Sequence, residues 1–205
     1  FVFKAENQDI TVAHQHKQRN LDKLEQKAEK QYYQGEYQES IKLYQKVLKE
    51  SNNRIDTHKN LAVVYETIGD YKSAVDEYKT VLTKAPEDYV VYYDLGELYY
   101  NLGKYEQALD NIKQTVKNIK DESILKLAYL KLTKIHKQRG DYHLALSAVK
   151  QVLELDSDSA LAYYYSGQIK DNLDQTEKAV ADYKQALEKD GSFVEAQLDL
   201  AAAYF

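Results

Sequence analysis

Residues 92–108 run YYDLGELYYNLGKYEQA, and the reading of the whole chain works outward from them. Tyr92, Leu95, Gly96 and Tyr99 fall at helical spacing and make one apolar stripe. Asn101-Leu102-Gly103-Lys104 interrupts it, with Gly103 free to take the positive φ that closes a helix. A second stripe follows at Tyr105, Ala108, Leu109, Ile112 and Val116. Two such helices joined by a tight turn form a helical hairpin. Gly96 and Ala108 are the small residues at which the two backbones are expected to cross closely.

The pattern recurs in both directions. Gly35, Gly69 and Gly103 are spaced 34 residues apart, Gly140 follows after 37, and Asp174 takes the same slot 34 later. Eleven residues before each turn stand Leu24, His58, Tyr92, Tyr129 and Tyr163. Seven before it are Ala28, Ala62, Gly96, Thr133 and Gly167; five after it are Ser40, Ala74, Ala108, Ala145 and Ala179. Self-similarity at this period means stacked units, each unable to bury its apolar face alone.

With these columns the chain resembles the tetratricopeptide repeat family. The third unit carries the resemblance best, through Tyr92, Leu95-Gly96, Tyr99, Gly103-Lys104-Tyr105 and Ala108. The second adds Leu61-Ala62, Tyr65, Gly69-Asp70-Tyr71, Ala74, Tyr78 and Pro86. Tryptophan is absent, and the fifth unit puts Asp174 and Thr176 where glycine and tyrosine are usual. The resemblance implies an all-α fold, a right-handed superhelical solenoid of helix-turn-helix hairpins.

Five repeats are expected over residues 21–54, 55–88, 89–125, 126–159 and 160–193. Residues 1–20 are expected to form a partly helical N-terminal extension, with a helix from about Thr11. Residues 194–205 read as the first helix of a truncated sixth repeat, with Leu200 and Tyr204 in its seam slots. The three-residue excess between Gly103 and Gly140 falls in Lys117–Ser123, and is expected to lengthen the second helix or the turn after it.

Composition narrows the function. The chain has 205 residues, a net charge of −5, 20 tyrosines, and neither cysteine nor methionine. Without cysteine there is no disulfide framework, thiol nucleophile or thiolate metal site. No segment is basic enough to draw a polyanion by field alone, so no nucleic acid partner is expected. The Gly-x-Tyr turns likewise argue against the pentatricopeptide class of RNA binders. No apolar run reaches the ~18 residues of a membrane span, so no insertion into a membrane is expected. The chain does not begin with methionine and is read as a fragment or processed product, soluble, with no compartment assigned.

Catalysis is not expected. His58 and His136 occupy slots that neighbouring units fill with large packed residues, and His14 and His16 point to different helix faces. No phosphate loop, His-Glu helix motif or nucleophile elbow is present, so neither catalytic residue, metal nor cofactor is assigned.

The resemblance places partner contacts on the concave face of the first helices. In the second unit this face holds Asp56, Lys59, Asn60, Val63 and Glu66. Further along it holds Tyr93, Asp94, Glu97 and Tyr100, then Leu127, Leu130, Lys131, Lys134 and Lys137, then Leu161, Tyr164, Tyr165 and Gln168. The expected ligand is a peptide or protein segment, part acidic for the lysines and part apolar for exposed tyrosines. The family's clamp for an acidic C-terminus is rejected, because the matching frame gives Lys59, Val63, Asp94, Leu127 and Lys131, and Asp94 repels a carboxylate. The alternative function is an assembly or oligomerisation module within a larger multi-domain protein, associating through its solenoid ends, with weak self-association expected at the C-terminal edge.

Overall fold

The structure is a computed structural model describing residues 2–204, with side chains from residue 12 onward. Phe1 and Phe205 lie outside the described residues. The fold is all-α, and no strand occurs among the described residues. Among the described residues eleven helices follow in order. They are α1 (Val2–Tyr33), α2 (Tyr37–Glu50), α3 (Ile55–Thr67), α4 (Tyr71–Lys84), α5 (Tyr89–Asn101), α6 (Tyr105–Asn118), α7 (Glu122–Arg139), α8 (Tyr142–Leu155), α9 (Ala160–Asp171), α10 (Thr176–Lys189) and α11 (Val194–Ala202).

Two compact units share them, Phe1–Val91 and Tyr92–Phe205. In the first, α1 pairs with α2 and α3 with α4, and α2 also packs on α3. Ala28, Ile41, Leu43, Tyr44, Leu61 and Val64 close its core. In the second, α7 pairs with α8 and α9 with α10, while α6 packs on α7, α8 on α9 and α11 on α10. Val149, Val152, Tyr164, Tyr165, Ile169 and Tyr183 lie at its centre.

All five hairpins turn by one device. Gly103 donates its N–H to the Tyr100 carbonyl at 2.9 Å, and Lys104 donates to the Tyr99 carbonyl at 2.9 Å. The same pair of bonds recurs at Gly35, Gly69, Gly140 and Asp174. Asp174 adopts φ 56°, so the fifth turn keeps the left-handed geometry without glycine.

Behind the turns the helices touch. Ala74, Ala108, Ala145 and Ala179 are fully buried. A β-carbon on Gly96 would stand 2.6 Å from Ile112 Cδ1, and one on Gly167 would stand 2.5 Å from the Tyr183 ring. Both sites accept only hydrogen, which is why α5–α6 and α9–α10 approach so closely.

Two expectations are corrected. α1 is helical from Val2 rather than from about Thr11, because residues 2–11 contain neither glycine nor proline to stop it. The three-residue excess lengthens neither the second helix nor its following turn. α6 keeps the 14 residues of α2 and α4, while α7 grows to 18. The Asp121 carboxylate accepts from the Ser123 and Ile124 N–H groups at 2.9 and 3.1 Å, starting α7 early. Lys126 in the added turn reaches Asp156 at 2.9 Å.

Candidate functional site

The surface of interest is formed by α5, α7, α9 and α11 of the second unit. Their seam residues are spent on hairpin packing, which leaves the position six before each turn facing the next first helix and the position nine before it facing the preceding one. These positions pair across neighbours as rungs of a ladder. On the first rung Lys131 donates to Glu97 Oε1 at 2.6 Å, with its ammonium 5.0 Å from the Tyr100 ring centroid. The second sets Lys134 over the Tyr165 ring at 5.6 Å. The third joins Gln168 Nε2 to Asp199 Oδ2 at 3.0 Å. Gln168 also donates to the Tyr164 hydroxyl at 2.6 Å and accepts from Lys137 Nζ at 2.5 Å.

The lysine strip is therefore split, and this corrects the expectation of a free basic face with exposed aromatics. Lys131 turns back to α5 and is only 7% exposed. Lys134 and Lys137 turn forward, each 5.6 Å from the Tyr165 ring. Tyr164 and Tyr165 are 8% and 9% exposed, because the rings serve as platforms for the chain's own cations and for Phe193, 4.8 Å from Tyr164. Lys59 does not join these residues: it lies in the first unit, ion-paired with Asp88 at 2.5 Å.

The electrostatics follow this packing. Burial, then the charges of Glu97 and Asp94, push the Tyr93 phenol up to about 12. Burial, then the hydrogen bond with Asp199, push Tyr164 to about 12 as well. For Lys134 burial opposes the charge, but contact with the Tyr165 hydroxyl prevails and the net shift is upward. Lys137 is pushed down by burial and by neighbouring Lys134, against the pull of Asp199.

Two cavities open on the surface. One of about 190 Å³ is walled by Tyr93, Leu127, Leu130 and Leu161, with Glu97, Lys131 and Lys134 at its polar side. The other, about 170 Å³, lies between Lys137, Gln168, Asp171, Tyr183 and Asp199. Asp199 is the residue that the sequence reading missed. Its signal was its place one 34-residue period after Tyr165.

Three tetratricopeptide repeat profiles match the chain, over residues 26–89, 68–128 and 160–191. The chain belongs to the tetratricopeptide repeat family. Proteins of this family are generally non-catalytic scaffolds, and the fold is that of a protein–protein interaction scaffold.

Solved tetratricopeptide structures agree in fold. MamA is 22% identical, with a TM-score of 0.76 over 85% of this chain and 94% of its own. YrrB, described as having an unusual peptide-binding site, is 21% identical, with a TM-score of 0.76 over 92% and 96%. PilF of Pseudomonas aeruginosa is 18% identical, with a TM-score of 0.73 over 91% and 85%. At these identities the likeness is one of fold. No curated protein matches the sequence. Among the described residues no helix is long and apolar enough to cross a membrane, and no three His, Asp or Glu side chains gather to hold a metal.

Proposed function

We propose that the α5/α7/α9 face binds a protein segment, part apolar and part acidic. The observation that carries this reading is the cavity of about 190 Å³, with leucine and tyrosine walls and the Lys131–Lys134 pair along one side. An apolar side chain of the ligand fills the space between Leu127, Leu130 and Leu161. An adjacent carboxylate meets Lys134, which unlike Lys131 has no carboxylate bonded to it among the described residues. Tyr93, Asp94, Glu97 and Tyr100 then line the entry from α5, while Tyr164, Tyr165 and Gln168 hold the lysines in place from α9.

The test is affinity capture with wild type and a Leu127→Glu/Lys134→Glu double variant, with thermal melts showing that both are folded. Leu127 is 46% exposed, so its replacement costs little stability. Partners recovered by wild type are expected to be lost from the variant. Equal recovery of every partner removes the cavity from the account.

A second reading, self-association through α11, is supported by its exposed apolar residues. Val194, Leu198 and Tyr204 at the end of the second unit are 58%, 65% and 62% exposed.

A further inference from the structure

In the first unit the rung between α1 and α3 is open. Its positions, six and nine before their turns, hold Glu29 and Asn60. Asn60 bonds instead to the Tyr44 hydroxyl. One turn earlier on α1, Glu25 is neutralised by Arg54, whose Nη1 lies 2.5 Å from Oε2, and accepts a hydrogen bond from the Thr57 hydroxyl. Glu29 is exposed and has no ion-pair partner among the described residues.

The comparison with the α5/α7 rung is direct. There a glutamate six before the turn (Glu97), a tyrosine three before it (Tyr100) and a lysine nine before the next turn (Lys131) form a closed trio. On α1 and α3 the glutamate and tyrosine recur in the same positions as Glu29 and Tyr32, but the lysine position is Asn60, which carries no charge. What remains is a cavity of about 100 Å³ lined by Glu29, Tyr32, Tyr33, Tyr44, Asn60 and Val63. Tyr32 and Tyr33 meet edge to face with centroids 5.4 Å apart, and the Tyr44 ring is 2% exposed at the floor. The field there is negative: after burial, the Glu29 charge is the next cause holding the Tyr44 phenol at about 12.

We propose that this pocket receives an arginine or lysine side chain of a partner protein, the cation that the chain supplies for itself at Glu97 and Tyr100. Tyrosine faces attract the cation, and the Glu29 carboxylate neutralises it. The pocket goes beyond the α5/α7/α9 reading, lies in the other unit and takes the opposite charge, so either assignment can fail alone.

The test is a titration of the whole chain, followed by tyrosine ring resonances, with the capped tripeptides Gly-Arg-Gly and Gly-Lys-Gly and a neutral Gly-citrulline-Gly control. The cationic peptides are expected to shift Tyr32 and Tyr33, and the citrulline peptide to leave them in place. Glu29→Gln is expected to weaken binding by about fivefold, the size of an exposed cation–carboxylate contact. Asn60→Lys, which restores the closed trio, is expected to abolish binding while the chain remains folded. Equal shifts with citrulline, undiminished binding by Glu29→Gln or Asn60→Lys, or no shift with either cationic peptide overturns the proposal.

Discussion

Five residues after each turn the hairpin holds only a small side chain, and Ser40 alone brings a hydroxyl to a column otherwise filled by alanine. Ser40 is fully buried, and its Oγ finds no hydrogen-bond partner among the described residues. An unmet buried hydroxyl costs about 1–3 kcal/mol, so Ser40→Ala is predicted to raise stability by about 1 kcal/mol. Urea denaturation checks this, and an unchanged or lower midpoint refutes it. The column itself was legible in the sequence, because size and period are properties of single residues. The hand that each side chain extends to a neighbour was not. Lys131, Lys134 and Lys137 look alike in sequence, yet one turns to Glu97 and two to Tyr165, a choice made by the helices on either side.

At the scale of elements the hairpins could be read from their periods and turns, but helix starts could not. Counting from Gly103 to Gly140 shows that residues were added without showing where, and the Asp121 cap assigned them to α7. α11 gives the sharper consequence. It buries Ala196 against the fifth hairpin while Leu198 stays 65% exposed. A short helix with this much uncovered apolar surface favours association between copies. Sedimentation of wild type is predicted to show a rising mean mass with concentration, and Leu198→Glu to remain monomeric. A concentration-independent mass for wild type would refute association through α11.

For the molecule as a whole, tyrosine content sets the alkaline limit. Tyr44 in the first unit and Tyr164 in the second are both buried and both pushed to about 12, against about 10 in an unfolded chain. The folded state holds the phenolic proton more tightly. Its contribution is therefore complete below about pH 10 and is lost as the pH rises from about 10 to about 12. The urea midpoint is predicted to fall steeply above about pH 10, and less so in Tyr44→Phe; parallel profiles for the two would count against it. The rungs of the second unit carry a different consequence, for the order of the hairpins. The packing columns make α7–α8 and α9–α10 alike enough to be exchanged by unequal duplication of the gene. Exchange would set the buried Lys131 ammonium opposite the neutral Gln168 in place of Glu97, and a buried charge stripped of its counter-ion costs several kcal/mol. The columns let any hairpin stack on any other; the rungs admit a single succession.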